Sequence, residues 1–130
     1  MIVVDASALL EVLLNTPASV GIADRLFAPD ETLHAPHLID LEIAQVLRRY
    51  ALSGQLEASR GVQALEDLGE FPLHRYPHDL FLPRIWELRA NATAYDAAYI
   101  ALAEALAAPL LTRDHALAST PAHHARIEFI

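Results

Sequence analysis

The stretch MIVVDASALL, residues 1–10, joins the pattern of a buried strand to a carboxylate. Ile2, Val3 and Val4 form a β-branched run that favours a strand, and Asp5 follows it directly. A carboxylate withdrawn from water must be paired, bound to a cation or kept neutral by a raised pKa. Asp5 is therefore either a helix cap or part of a binding site, and the positions of the other acids decide between these alternatives.

The composition predicts one folded domain over residues 1–130. The chain is 54% apolar and 20% charged, as folded globular proteins are. No apolar run is long enough to span a membrane, and the N-terminus does not have the pattern of a signal peptide. The absence of cysteine excludes disulfides and thiolate metal sites. We therefore expect a cytoplasmic protein without a membrane segment.

The charge argues against nucleic-acid binding by bulk electrostatics. The formal net charge is −8, whereas proteins that bind phosphate in this way are usually basic. All nine basic residues are arginine, and the sequence contains no lysine. Because arginine makes forked contacts to phosphate, local recognition of a nucleic acid remains open.

Short apolar segments alternate with helical ones along the whole chain. We predict strands at residues 2–5, 32–35, 71–76, 109–112 and 127–130, and helices at 7–15, 18–27, 36–52, 56–68, 80–90, 94–107 and 114–118. Pro36 is expected in the first turn of its helix, where its missing N–H costs little. Such strands predict a mainly parallel central sheet with helices on both faces, which is a three-layer α/β fold.

Two acids follow predicted strands, and two more lie on predicted helices. Asp5 and Asp114 come after the first and fourth strands, and the carboxyl ends of parallel strands share one edge of the sheet. Asp96 lies in the first turn of its helix, where Thr93-x-x-Asp96 could equally be a capping box. For these three acids the sequence supports a shared site without excluding local structural roles.

Glu42 lies beside the apolar stripe of the helix at 36–52. That stripe is predicted to contain Ile39, Ile43, Val46 and Tyr50. A fully solvated position would not usually have such neighbours. Asp40 lies on the opposite flank of the same stripe, so the helix geometry alone leaves either acid as the one that joins the site.

Four stretches that contain these acids resemble one family. VVDASALL, LIDLEIAQVL, NATAYDAAYIALAE and LLTRDHALA together resemble the PIN-domain nucleases and, within them, the VapC-like toxins of bacterial toxin–antitoxin pairs. The resemblance covers essentially the whole chain. It implies a metal-dependent ribonuclease in which Asp5, Glu42, Asp96 and Asp114 are the catalytic acids that bind Mg²⁺ or Mn²⁺. Ser7 and Thr112 match small hydroxyl positions that would orient the acids or a metal-bound water.

The same resemblance implies partners as well as chemistry. VapC-like toxins act on RNA, form homodimers and bind a VapB-like antitoxin in an apolar groove among the early helices. The helix at 7–15 is apolar nearly all round, so either it is enclosed within the domain or its outer side contacts another chain. A catalytically silent PIN-fold binding or scaffold module remains the alternative function.

The chemistry of phosphodiester hydrolysis suits such a group of acids. The transition state concentrates negative charge, which hard divalent cations held by oxygen ligands offset. Receiver domains, dehalogenase-like phosphatases and P-loop enzymes all depend on a lysine that this chain lacks. The dehalogenase-like pattern would also require an acid at position 7, where Ser7 stands.

The remaining polar residues carry weaker predictions. No pair of histidines has the spacing of a metal site, and His115 is expected to be a bystander beside Asp114. Arg113 is a candidate phosphate contact. Arg84 and Arg89 are either surface residues or side chains that approach the site, and Arg48 and Arg49 are expected to be solvated at the end of their helix.

Overall fold

The computed structural model describes residues 1–130 and contains one sheet of five parallel strands. The strands are β1 (Ile2–Val4), β2 (Leu33–Pro36), β3 (Leu73–Tyr76), β4 (Leu110–Thr112) and β5 (Ile127–Phe129). Their order across the sheet is β3-β2-β1-β4-β5. The predicted parallel sheet is therefore confirmed, with the N-terminal strand at its centre.

Seven helices and one short 3₁₀ turn surround the sheet. The helices are α1 (Ala6–Leu13), α2 (Ser19–Leu26), α3 (Leu38–Leu52), α4 (Ala58–Glu70), α5 (Leu82–Glu87), α6 (Ala94–Leu106) and α7 (His115–Ala118). Helices α1, α3 and α4 contact one another, and α2 packs on α1. Helix α6 packs on β1, β2 and β4, and α5 packs on α6. This arrangement confirms the three-layer α/β fold.

The core forms where β1 meets α6. Ile2, Val3 and Val4 are fully buried, because a central strand is covered on both faces. Residues 97–103 of α6 are buried without interruption, and Ala97 and Ala98 are among them. Burying one large apolar side chain stabilises the fold by about 1.5–3 kcal/mol. The helix that carries Asp96 is thus held firmly against the strand that ends at Asp5.

The strand order creates a crevice beside the carboxyl end of β1. Val3 pairs with His34 of β2 on one side and with Leu110 of β4 on the other, so the chain winds in opposite directions from β1. Open parallel sheets bind ligands at such a switch point. Asp5 and the residues after Thr112 lie at this position.

Two predicted element boundaries are wrong. Pro36 does not begin α3 but ends β2, and α3 begins at Leu38. Because proline has no N–H to donate, the pairing of β2 with β1 stops at Val3 and His34. The helix expected at 80–90 is shorter, since a 3₁₀ turn over Asp79–Phe81 precedes α5. No helix of the structure has both the length and the apolar character that crossing a membrane requires.

The apolar stripe predicted for α3 is only partly correct. Ile39, Ile43 and Leu47 are the residues buried in the core. Val46 is half-buried and Tyr50 is 36% exposed, and both line a surface cavity instead. Helix α3 therefore has two apolar faces. One packs in the core, and the other, with Val46 and Tyr50, lines the cavity.

Candidate metal centre

All four predicted acids line one cavity of about 500 Å³ at the carboxyl edge of the sheet. Its acidic lining residues are Asp5, Glu11, Glu42, Asp96 and Asp114. Asp5 follows β1, Glu42 lies on α3, Asp96 on α6 and Asp114 follows β4. Four separate elements thus bring carboxylates to one place, and no two of the predicted acids lie on opposite faces of the protein.

Asp5 is held by two hydroxyls. Its side chain is buried, and Oδ2 accepts hydrogen bonds from Ser7 Oγ at 2.6 Å and from Thr112 Oγ1 at 2.8 Å. Asp5 occupies the N-cap position of α1, yet its carboxylate makes no capping hydrogen bond. The helix-cap alternative for Asp5 is therefore wrong, and the buried carboxylate is held for another purpose.

Thr112 connects the ends of β1 and β4. The side chain is fully buried, and while its hydroxyl donates to Asp5 it accepts a hydrogen bond from the Asp114 backbone N–H at 2.9 Å. Ser7 Oγ similarly accepts from the Arg113 backbone N–H at 2.9 Å. The two hydroxyls fix the Asp5 carboxylate and tie the loop after β4 to the start of α1.

Asp96 and Asp114 combine local roles with their place in the cavity. Thr93 caps α6 by accepting from the Asp96 N–H at 3.1 Å, but the Asp96 carboxylate makes no hydrogen bond in return. Only half of the expected capping box forms. Asp114 caps α7 through Oδ1, which accepts from the Ala116 N–H at 2.8 Å. The Asp96 carboxylate and Oδ2 of Asp114 remain available to a ligand.

Glu42 receives a hydrogen bond from Tyr99, a residue that was not predicted to belong to the site. The Tyr99 hydroxyl, on α6, donates to Glu42 Oε1 at 2.6 Å. Tyr99 is fully buried, and a buried tyrosine hydroxyl usually has a hydrogen-bond partner. Its position one turn after Asp96 was the available signal, because residues three apart share a helix face. Tyr99 thus joins α6 to α3 beside the acids.

Burial, and then the charges of the neighbouring acids, raise the pKa values of three of these acids. Burial, followed by the charges of the other acids, raises the pKa of Glu42 to about 7, although the Tyr99 hydrogen bond opposes this. Burial and the charges of Asp114 and Asp5 raise the pKa of Asp96 to about 6. Burial also raises the pKa of Asp5 above its ordinary value, against the hydrogen bonds from Ser7 and Thr112. The cluster therefore favours any ligand that brings positive charge.

The donor chemistry fits a hard divalent cation, but the acids do not form a closed cage. No group of three or more His, Cys, Asp or Glu side chains lies close enough together to hold a metal ion. Carboxylates repel one another when no cation lies between them. Mg²⁺ usually keeps several waters and takes only one or two protein carboxylates. An open cavity lined by the four predicted acids and Glu11 is compatible with this mode of binding.

The alternative acid Asp40 lies outside the cavity. Its carboxylate is paired with the Arg75 guanidinium, whose Nε lies 2.9 Å from Oδ2. His115 is exposed and packs against the Phe129 ring with a centroid distance of 4.6 Å. Arg84 is paired with Glu104, and Arg89 lies over the Trp86 ring. None of these residues lines the acidic cavity.

Arg113 does line the cavity, but its guanidinium is already engaged. Nε lies 3.5 Å from Glu11 Oε1, and Nη1 donates to the Ile130 carbonyl at 3.1 Å. Glu11 was not predicted as a lining residue. A phosphate contact by Arg113 would have to compete with both of these interactions.

The leucines of α1 and its C-cap residue Leu14 are divided between the core and the cavity. Leu9 and Leu13 are buried in the core, whereas Leu10 and Leu14 are half-buried and line the cavity. Of these leucines, only Leu10 and Leu14 are exposed enough to contact another chain. That such a contact forms remains a prediction.

Comparison with known proteins agrees with this fold and site. The sequence profile of the PIN domain family matches residues 2–122. Ribonuclease VapC9 of Mycobacterium tuberculosis is 51% identical over 120 residues, which cover 92% of this chain and 91% of that protein. The chain therefore belongs to the PIN domain family and, within it, to the VapC ribonucleases.

Solved structures show the same fold at lower sequence identity. The Mycobacterium tuberculosis toxin VapC20, which cleaves the sarcin-ricin loop, has a TM-score of 0.68 and 17% identity, covering 95% of this chain and all of that chain. A chain of the VapBC2 complex from Rickettsia felis, solved on a DNA fragment of its promoter, has a TM-score of 0.71 and 16% identity, covering 99% and 98% of the two chains. The fold is thus shared well beyond close relatives.

Proposed function

We propose that this protein is an endoribonuclease that depends on Mg²⁺ or Mn²⁺ and acts as the toxin of a toxin–antitoxin pair. One observation carries the proposal: Asp5, Glu42, Asp96 and Asp114, which come from four different elements, line the same cavity. VapC9 is a ribonuclease, and VapC ribonucleases of the PIN family generally depend on a divalent metal. The cavity supplies the oxygen ligands that such an ion prefers.

The four acids would hold the cation at the carboxyl edge of β1 and β4, one or two of them directly and the others through its water ligands. When bound, the cation offsets the negative charge of the phosphodiester transition state and lowers the pKa of a water ligand. Thr112 and Ser7 keep the Asp5 carboxylate in one orientation, so that it need not reorganise during the reaction. Tyr99 fixes Oε1 of Glu42, and Oε2 has no hydrogen-bond partner.

Glu42 would exchange a proton for the cation near neutral pH. With a pKa of about 7, its carboxyl group is partly protonated in the metal-free protein. Because a carboxylate must lose its proton to bind a metal, cation binding releases protons from this site. The burial and mutual repulsion that raise the pKa thus also favour cation binding.

The proposal extends to partners. One structural neighbour is VapBC2 of Rickettsia felis, bound to a DNA fragment of its promoter, and we propose a VapB-like antitoxin for this chain. An antitoxin segment would lie on an apolar wall beside the acids. This wall is formed by Leu10 of α1, its C-cap Leu14, and Val46 and Tyr50 of α3. A homodimer, a single PIN domain over residues 1–130 and a cytoplasmic location are further parts of this proposal.

RNA cleavage with matched Asp→Asn variants tests the proposed activity. Asp96→Asn removes one charged ligand at nearly constant shape, whereas Asp40→Asn changes an acid that lies outside the cavity. We expect the parent and Asp40→Asn to cleave total cellular RNA with added Mg²⁺ or Mn²⁺, and Asp96→Asn to be at least about 100-fold slower. A chelator should stop cleavage.

The alternative function gives a different result in the same assay. A catalytically silent PIN-fold module would bind RNA or a partner protein without cleaving RNA at any metal concentration. Cleavage that Asp96→Asn leaves at the parental rate would overturn the assignment of the acids, even if the protein proved to be a nuclease.

A further inference from the structure

Most arginines of this protein are engaged by other groups. Arg25, Arg75, Arg84, Arg113 and Arg126 are paired with carboxylates. Arg60 donates to the Leu13 carbonyl, and Arg89 donates to the Trp86 carbonyl and lies over its ring. Only the guanidinium groups of Arg48 and Arg49 have neither a hydrogen bond nor an ion pair. The chain has a net charge of −8 and no lysine, so these two guanidinium groups are the unpaired cationic side chains that can bind an anion without losing a partner.

Arg49 differs from Arg48 in its position. Arg49 is exposed on α3 and lines the acidic cavity, although its neighbour Arg48 does not. Arg49 also lines a second cavity, of about 460 Å³, which lies along the same helix. Glu42 and Val46 are the other residues common to both cavities. Arg49 is solvent-exposed, as expected, and it also lies on the ridge between the acids and a neighbouring groove.

The second cavity combines apolar side chains, an exposed tyrosine and an arginine, which are the groups that bind an unpaired nucleotide. Its lining includes Leu38, Leu41, Gln45 and Tyr95. The Tyr95 side chain is 65% exposed and directly precedes Asp96. Tyr50, 36% exposed, lines the acidic cavity on the other side of the ridge. Proteins bind single-stranded RNA by pairing such aromatic faces with a cation that contacts the backbone phosphate.

We propose that the RNA strand crosses α3 at Arg49, which binds the phosphate next to the scissile one, while the groove beside Tyr95 takes the adjoining nucleotide. This inference rests on the proposed ribonuclease function. Arg49 can form the contact without giving up an existing partner, whereas Arg113 would have to leave Glu11 and the Ile130 carbonyl. The arrangement also explains how a strongly acidic protein holds an anionic substrate, since one free arginine lies beside the acid cluster.

Binding of a single-stranded RNA separates this role from a general effect of charge. The probe is a fluorescein-labelled RNA oligonucleotide of mixed sequence, bound to the Asp96→Asn protein in the presence of Mg²⁺ and followed by fluorescence anisotropy. In this background we compare Arg49→Gln with Arg48→Gln, which removes an equally free charge from the next position. Losing one charge-assisted contact should weaken binding about tenfold or more for Arg49→Gln, and the Arg48→Gln protein should differ little.

The dependence of binding on salt gives a second readout. Each phosphate contact to a single strand contributes about 0.7 to the slope of log K against log salt, so Arg49→Gln should lower the slope by about that amount. Arg49→Lys should restore the slope because it restores the charge. In the active protein, Arg49→Gln should raise KM far more than it lowers kcat. Neither free arginine has a partner to lose, so unfolding in urea should be unchanged in both variants.

Failure of this inference is distinguishable from failure of the proposed function. Equal RNA affinity and salt slope for the Arg49→Gln and Arg48→Gln proteins would overturn the role of Arg49, whether or not the parent cleaves RNA. A parent protein that cleaves no RNA would overturn the ribonuclease proposal. Selective weakening by Arg49→Gln would then assign the α3 ridge to RNA binding alone.

Discussion

The Tyr99 hydroxyl donates a 2.6 Å hydrogen bond to Glu42 Oε1 and thereby joins α6 to α3. Tyr99 lies one helical turn after Asp96, so a single rigid element both carries one acid of the cavity and orients another. Burial raises the pKa of Tyr99 above its ordinary value, as does the negative charge of Glu42. The tyrosine therefore remains a donor, and its hydrogen bond favours the ionised form of Glu42.

Tyr99→Phe should remove the hydrogen bond to Glu42 while its ring still fills the same space in the core. A hydrogen bond to a charged group contributes about 1.5–3 kcal/mol, and because Glu42 is half-exposed we expect a loss of about 1 kcal/mol in the free energy of unfolding above pH 8. The loss should shrink at pH 4, where Glu42 is protonated. Urea unfolding measures both values. Tyr95→Phe, on the same helix but exposed and without a hydrogen bond, is the control, and equal effects of the two substitutions would contradict the assigned role.

Thr112→Val should loosen the junction of β1 and β4. The substitution keeps the shape of a fully buried side chain but removes the donor to Asp5 and leaves the Asp114 N–H without its acceptor. We expect a loss of about 2–3 kcal/mol in the free energy of unfolding, because a buried polar group left unsatisfied carries its full desolvation penalty. Thr112→Ser keeps the hydroxyl and should lose less. A Val variant as stable as the Ser variant would show that these hydrogen bonds do not hold the junction.

Metal-free protein should lose stability through Glu42 as the pH rises. The pKa of Glu42 is about 7 in the folded protein, against an ordinary value of 4.5 in an unfolded chain, so the folded state binds the proton more tightly. The resulting stabilisation is fully present below pH 4.5 and is lost as the pH rises through 7. The pKa of Asp96 is likewise raised, from its ordinary value of 3.8 to about 6, so Asp96 also makes the metal-free protein less stable as the pH rises through this range.

Glu42→Gln separates the effect of Glu42 ionisation on stability from that of the other titrating groups. Gln keeps the acceptor for Tyr99 but cannot ionise, so the variant should melt above the parent at pH 8 and close to it at pH 4 when a chelator is present. Glu66→Gln, at an exposed position of α4, serves as the reference for surface changes. A parent–variant difference in Tm that does not grow with pH would argue against the raised pKa.

The leucines of α1 should separate into two classes. Leu9→Ala, in the core, should lower the free energy of unfolding by about 2–5 kcal/mol. Leu14→Gln, at the half-buried C-cap of α1 on the cavity wall, should leave the fold largely intact and weaken binding of the proposed VapB-like antitoxin, which calorimetric titration of the antitoxin into the toxin measures. Parent and Leu14→Gln proteins with the same antitoxin dissociation constant would remove this end of α1 from the proposed antitoxin surface.

The sequence was sufficient to place the acids that follow strands. Once β1 and β4 were read as parallel strands, the edge shared by Asp5 and Asp114 followed, because parallel strands align their carboxyl ends. The choice of Glu42 over Asp40 depended on the family resemblance, since both flank the stripe of α3. The structure adds the physical reason: Asp40 is neutralised by Arg75, which lies on a strand distant in sequence.

Features that depend on long-range packing could not be predicted. The partner of Tyr99 is on another helix, and its identity depends on how α3 and α6 pack. The sequence alone does not show that the Arg49 side chain has no partner, because the partners of the other arginines must be known first. Some of these pairs, such as Arg84 with Glu104, join distant segments. The end of β2 at Pro36 was missed because a proline before a helical pattern is also typical of a first helical turn.

Calorimetric titration of Mn²⁺ into the metal-free protein tests the central claim, that the four carboxylates of one cavity form a divalent cation site. We expect the parent and the Asp40→Asn variant to bind Mn²⁺ with the same affinity, and Asp96→Asn to bind it about 10-fold or more weakly. Proton release in buffers of different ionisation enthalpy should be larger at pH 6.5 than at pH 8, because the pKa of Glu42 is about 7. Parental Mn²⁺ affinity in Asp96→Asn, or no Mn²⁺ binding by the parent, would contradict the claim.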